Sequence, residues 1–384
     1  LFLAVFSVTI GVGLVVPLLP VYAHELGATG LYIGFMFGAF SLSRTIFLPY
    51  FGKASDRKGR KPFITTGLLV YFLVSIAYIF STSVNLFILI RFFQGIASAM
   101  ILPVALAYVG DITPKRREGF VMGLFNMSLF GGLSVGPVIG GMVKDTFGIQ
   151  ISFLSMGVFC FAGFLLCLML LPPTKDETPP SRVKPPLNYR ILMKDKNIEG
   201  LFIFRLAYTT CIGIVWAFLP LFADSAFNLS SSLIGILLMV GVLITGLLQA
   251  PMGFLADRFS KRTLFAIGGF VTGGAIFSFV MVHSFWGLFW ANSFFGIGGG
   301  IAMPSIMAMT VIIGNETHSM GSIMSLLTMG HSLGMLLGPI LAGIMMDVFQ
   351  LETCFIIGTF VIFLGVLISL TLTANFHILV KDLV

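Results

Sequence analysis

The chain has 384 residues, of which 57% are hydrophobic and only 10% charged, with 44 Gly and 41 Phe. A soluble domain carries about 25% charged residues, so this chain has too few to cover a water-facing surface of its length. The mean hydropathy of +1.05 agrees. A soluble enzyme, a nucleic-acid binder and a disordered chain are excluded, which leaves a polytopic membrane protein.

A bilayer core takes about 20 apolar residues per helix. That ruler gives twelve helical spans, at 1–23, 31–51, 62–82, 84–108, 119–143, 149–172, 198–223, 232–252, 263–283, 286–313, 319–346 and 352–374. Runs this long are not barrel strands. Leu1 already lies inside span 1, and no charged n-region or cleavage site is visible, so no signal peptide is expected. The four cysteines, Cys160, Cys167, Cys211 and Cys354, lie in apolar runs without a C-x-x-C pair. They are expected to be packing residues, not a metal site or disulfide framework.

The formal charge of +7 matters through its placement. Alternate connections are rich in Lys and Arg: five in 52–61, three in 109–118, six in 173–197, three in 253–262 and one in the tail. The opposite side carries only Lys144, and Arg44, Arg91 and Arg205 fall inside spans. The positive-inside rule puts the basic side, and with it both termini, in the cytoplasm. Segment 173–197, with Pro173, Pro179, Pro180, Pro185 and Pro186, is the one long polar stretch. It divides an N-terminal half, 1–172, from a C-terminal half, 198–374, and a cytoplasmic tail follows at 375–384. It is expected to be a linker, with a surface helix near Tyr189–Lys196.

The halves repeat. Gly52-x-x-x-Asp56-Arg57 faces Gly253-x-x-x-Asp257-Arg258; Phe93, Gly95 and Pro103 face Phe294, Gly296 and Pro304. Gly136-Pro137 faces Gly338-Pro339, Asp145 faces Asp347 and Pro20 faces Pro220. The offset drifts only between 200 and 202 residues. Six spans per copy keep the same orientation, so the repeat is parallel. The expected fold is an all-α polytopic membrane protein of twelve transmembrane helices in two parallel six-helix repeats, with a substrate path between the halves.

Four motifs carry a resemblance over the whole chain. They are Gly13-Leu-x-x-Pro17-x-x-Pro20 in span 1 and Gly52-x-x-x-Asp56-Arg57-x-Gly59-Arg60-Lys61 between spans 2 and 3. The others are Arg91-x-x-Gln94-Gly95 in span 4 and Gly132-x-x-x-Gly136-Pro137-x-x-Gly140-Gly141 in span 5. This set resembles the major facilitator superfamily, and within it the twelve-span drug/proton antiporters of the multidrug and tetracycline efflux type. The resemblance implies a monomeric transporter in a bacterial or archaeal cytoplasmic membrane, exchanging a small molecule for protons. It gives Arg91, Gln94 and Gly95 a part in coupling and makes the span-5 glycines an antiporter motif.

The loop signature makes physical sense as a latch. Asp56 is expected to face the positive N-terminus of span 11, near Thr317–Ser319, and Arg60 to pair with Asp111. Asp257 and Arg258 form a degraded second copy, where Ser260 replaces the second glycine. In span 5, small residues at every fourth position allow close helix approach, and Pro137 permits a bend. In span 11, Gly330, Gly334 and Gly338 repeat that spacing.

Charges inside a bilayer cost about 2.5–3.5 kcal/mol each on insertion scales. Arg44 and Arg205 either snorkel to the interface or line a cavity that attracts an anion. His331, near the middle of span 11, titrates in the physiological range and is a coupling candidate or a packed residue. Asn126, Tyr208, Gln249 and Asn292 complete the polar cavity candidates, and Trp216 and Trp290 are cavity aromatics or interface anchors. All 15 acidic residues lie at span ends or in connections. No Walker A motif, nucleophile–base set or metal cluster appears, so neither catalysis nor a cofactor is expected. Two transport readings follow: a proton-coupled exporter of small lipophilic compounds, or an exchanger or facilitator of amphipathic organic anions using Arg44 and Arg205. A non-transporting scaffold has little use for two copies of a breakable latch.

Overall fold

The computed structural model describes residues 1–112, 118–173, 192–316 and 320–374. Among them there is no β-strand, and twelve helices are long and apolar enough to cross a membrane. Span 1 is two helices, Phe2–Val15 and Leu18–Glu25. The break falls at Val16 and Pro17, where the proline ring removes a backbone donor. Spans 2 to 6 are Gly30–Lys58, Lys61–Ile79, Val84–Ile112, Glu118–Phe147 and Ile149–Leu170. Spans 7 to 12 are Lys196–Phe227, Ser231–Arg258, Lys261–Met281, Phe285–Glu316, Met320–Val348 and Thr353–Leu372.

Helix ends follow local chemistry. Gly59, with φ of 83°, closes span 2 in a conformation that side chains rarely adopt. The span-2 helix runs on through Asp56 and Arg57, so the loop signature is the last turns of a helix and its cap. Ser260 caps span 9 by accepting from the Thr263 N–H. Leu192 is helical, and the turn that follows it at 193–195 leads into span 7, with the Asp195 carboxylate accepting from the Asn197 N–H at 2.8 Å. The rest of the surface helix expected at Tyr189–Lys196 lies outside the described residues.

By contact density the chain forms two units. One contains Leu1–Ser181 with Trp216–Leu243, the other Arg182–Val215 with Ile244–Val384. The first unit thus includes the later part of span 7 and the first part of span 8. In it, span 1 packs on spans 5 and 6, span 2 on span 4, and span 3 on spans 4 and 6. In the second unit, span 9 packs on spans 10 and 12, and span 11 on spans 10 and 12.

The repeat extends to single contacts. Thr9 Oγ1 reaches the Ser128 carbonyl at 3.3 Å, and Thr209 Oγ1 reaches the Gly330 carbonyl at 3.4 Å. Ser152 Oγ donates to the Gly140 carbonyl at 3.4 Å, and Cys354 Sγ to the Ala342 carbonyl at 3.0 Å. Lys61 Nζ donates to the Leu168 carbonyl at 2.8 Å, and Arg262 donates to the Leu370 carbonyl at 2.7 Å. The last pair places a basic side chain on a terminal carbonyl of spans 6 and 12, where the helix dipole favours a cation.

Candidate functional site

The span-5 motif makes two helix contacts. A Cβ on Gly132 would collide with Thr9 Oγ1, one on Gly136 would stand 2.6 Å from the Ile10 carbonyl oxygen, and one on Gly140 would collide with the Leu14 carbonyl. Three glycines four residues apart share one helix face, and here that face receives the span-1 backbone. Gly141 turns to span 8, where a Cβ would collide with the Ser231 carbonyl; a Cβ on Gly235 would collide in turn with that of Pro137. The helix runs unbroken through Pro137. At its end, Asp145 accepts from the Ser231 and Ser232 N–H groups at 3.0 and 2.8 Å and from the Ser232 hydroxyl. Beside it, Lys144 pairs with Glu25 at 3.4 Å. The second unit repeats the glycine contact: Gly334 lies on Thr209 and Gly338 on the Thr210 carbonyl.

A first cationic centre is buried within spans 2 to 4. Arg91 is only 2% exposed. Its guanidinium donates to Gln94 Oε1 at 2.9 Å and to the Met36 carbonyl at 3.4 Å. It also lies over the Phe37 and Phe40 rings, 4.9 and 4.6 Å from their centroids. Tyr78 donates to the same Gln94 oxygen at 3.0 Å. Gln94 Nε2 is buried without a hydrogen-bond partner. Gly95 brings span 4 onto span 2, since a Cβ there would collide with Ser43 Oγ. Ring faces and neutral oxygens, instead of a carboxylate, solvate this charge.

A second centre joins spans 7, 10 and 11. Arg205 donates to the Met303 sulfur and, at 3.4 Å, to His331 Nδ1. Arg205 Nε is buried without a hydrogen-bond partner. One turn on, Tyr208 is buried and its hydroxyl lies against Gly299, whose missing Cβ makes room for it. Asn292, in span 10, is also buried. Gln249 and Arg44 are half-buried, whereas Asn126 and Trp290 are exposed. Arg44 and Arg205 belong to different units.

In the loop signature, Arg60 pairs with Asp56 four residues before it, and donates to the buried Ser55 hydroxyl at 2.8 Å. Asp56 and Arg57 are exposed. Asp111's side chain and Thr317–Ser319 lie outside the described residues, and with them both expected latch partners. A Cβ on Gly52 or Gly253 meets nothing within 4 Å. In the second copy, Asp257 is exposed and Arg258 lies over the Phe254 ring at 4.3 Å.

Sequence reasoning did not find Asp145 as a cap, Tyr78 beside Gln94, or Met303 beside Arg205. The first had a signal: Ser230-Ser231-Ser232 before an apolar run is a helix-start pattern. Thr9 and Thr209 stand at the repeat offset of 200, which could also have marked them. Met303 had no signal.

Twelve apolar helices whose six-helix contacts occur twice, with close glycine seams and buried cations, have the build of a secondary transporter. The chain belongs to the Major Facilitator Superfamily, whose family model matches residues 1–225 and again 201–376. An uncharacterized transporter of this type from Methanocaldococcus jannaschii is 29% identical over 353 residues, covering 91% of this chain and 90% of that protein. Multidrug resistance protein 1 of Bacillus subtilis is 24% identical, covering 97% and 95%. Quinolone resistance protein NorA of Staphylococcus aureus is 26% identical, covering 91% and 89%. Among solved structures, a point mutant of the nucleoside transporter NupG has the same fold with a TM-score of 0.79 at 15% identity, covering 97% of this chain and 98% of that one. The human organic anion transporter MFSD10 has a TM-score of 0.68 at 17% identity, covering 96% and 97%.

Proposed function

We propose that the protein exports small lipophilic compounds by alternating access, driven by proton exchange, from a bacterial or archaeal cytoplasm. The observation that supports this reading most is the span-5 seam. Its glycines and Pro137 hold span 1 on one side and span 8 on the other at backbone contact. Small residues let helices pack at backbone distance as rigid groups, and alternating access moves such groups against one another. The relatives named for multidrug and quinolone resistance point the same way. Arg91 and Gln94 are the coupling residues in this reading. Asp56, Gly59, Arg60 and Asp111 form a cytoplasmic latch that holds the outward-open form, with both termini on that side. The six-and-six division at segment 173–197 supplies the two moving halves.

The test is transport into everted membrane vesicles, with a panel of neutral drugs, lipophilic cations and organic anions. An interior-acid pH gradient should drive accumulation, and collapsing it should stop accumulation. Equal accumulation with and without the gradient would remove proton coupling.

A second reading, transport of amphipathic organic anions, has its own support. Among the described residues, every carboxylate lies within four residues of a helix end or in a connection. Arg44, Arg91, Arg205 and His331 lie deep within helices. An interior with cations and no carboxylate favours an anion over a cation.

A further inference from the structure

We infer that Arg205 and His331 form an oxyanion site that takes up a small organic carboxylate together with one proton. The inference rests on the second reading above, transport of organic anions, and assigns it a site.

A guanidinium carries only donors and keeps its charge. In the contact with Arg205 NH2, His331 Nδ1 is therefore the acceptor, and the ring is neutral with its hydrogen on Nε2. The other guanidinium partner is the Met303 sulfur, a weak acceptor, while Nε is buried without any. The cation is thus held in the membrane interior by a thioether and a neutral ring. An oxyanion supplies what both lack. A carboxylate takes two parallel N–H donors from a guanidinium.

The proton follows from the same geometry. A protonated ring would be a second cation 3.4 Å from Arg205 NH2, which is strongly repulsive away from water. A carboxylate that displaces this direct contact and binds both groups removes that repulsion and accepts from the protonated ring. The ring then takes one proton from water as the anion enters, so anion and proton favour each other's binding.

The carboxylates of the neighbouring helices all lie within three residues of a helix end. Span 7 carries Lys196, Glu199, Arg205, Tyr208, Cys211 and Asp224; span 10 carries only Glu316, at its end. Span 11 adds only Asp347, 16 residues or about 24 Å of helix beyond His331. Span 12 has only Cys354.

Calorimetry on the full chain in phosphatidylcholine nanodiscs tests the site, with 2-naphthoate as probe and 2-naphthamide as its uncharged analogue. Titrations at about pH 7.5, one unit above the ordinary histidine range, in two buffers of different ionisation enthalpy give the protons taken up. Naphthoate should bind at least about tenfold more tightly than the amide, with proton uptake approaching one. His331→Gln should abolish proton uptake, and Arg205→Ala should remove the preference for naphthoate while Arg205→Lys keeps part of it. Melting curves and the amide's affinity show that each variant is folded. Proton uptake unchanged in His331→Gln, or an undiminished preference for naphthoate in Arg205→Ala, would overturn the site while leaving anion transport standing. No naphthoate binding to the unsubstituted protein would overturn both. Naphthoate binding lost only in discs containing phosphatidylglycerol would overturn the organic-acid assignment in favour of a lipid headgroup.

Discussion

The carboxylate of Asp145, in the last turn of span 5, accepts the backbone N–H of Ser232, in the first turn of span 8, at 2.8 Å. The Ser231 N–H joins it at 3.0 Å. A residue of one helix thus caps the start of another, where unpaired N–H groups and the helix dipole favour an anion. A cap of this kind is worth about 0.5–2 kcal/mol. Asp145→Ala should lower the melting temperature by a few degrees and broaden the distance distribution between labels on Met142 and Leu233. Asp145→Asn should lie between. An unchanged distribution in Asp145→Ala would show that the glycine contact alone holds these ends together.

The glycines of the span-5 seam and those of the loop signature should differ sharply in their tolerance. Gly141→Ala and Gly235→Ala each drive a methyl into a backbone carbonyl, and overpacking of this kind costs about 1–3 kcal/mol. Both sites lie along the one packing seam of spans 5 and 8, so the double variant should cost less than the sum. Gly52→Ala and Gly253→Ala meet open space. Both lie within helices, so alanine should leave stability unchanged or raise it by about 0.5–1 kcal/mol. Melting temperatures of the four variants decide this; a destabilised Gly52→Ala would reveal a partner at that surface.

Arg91 allows structure and coupling to be separated. Arg91→Ala should lose about 3 kcal/mol, because it leaves a cavity against Phe37 and Phe40 and takes a donor from Gln94. Arg91→Met fills much of that volume without a buried charge and should lie within about 1 kcal/mol of the parent. If Arg91 couples transport to protons, Arg91→Met should keep substrate counterflow and lose gradient-driven accumulation. Full gradient-driven accumulation in Arg91→Met would end that role.

Orientation has its own check. Lys58→Cys and Lys184→Cys should react with a membrane-impermeant maleimide only from the cytoplasmic side, and Lys144→Cys only from outside. Labelling of positions 58 and 144 from the same side would break the alternation of charge on which the orientation rests.

The spans and the repeat were legible because both are local or periodic. An apolar run of about 20 residues announces a helix wherever it packs. Glycine and proline keep their spacing in both copies because the same backbone contacts recur, as Thr9–Gly132 and Thr209–Gly334 illustrate. What stayed hidden depends on which helices meet. Asp145 and Ser231 are 86 residues apart, and Arg205 and His331 are 126 apart. Sequence marked Arg205 and His331 as separate candidates, one for substrate and one for coupling. Only helix packing makes them one centre. The latch reading is the converse case: its Arg60 was legible, and the ion pair described for it is the local one to Asp56.

In the proposed function, movement of a small molecule is coupled to movement of protons. Purified protein in liposomes loaded with a pH-sensitive dye tests it most directly. With a lipophilic drug that everted vesicles accumulate trapped inside and none outside, drug efflux should acidify the lumen. The acidification should saturate with drug concentration and disappear in Arg91→Met. Drug efflux through the protein with no change in luminal pH would contradict the account and leave an uncoupled facilitator.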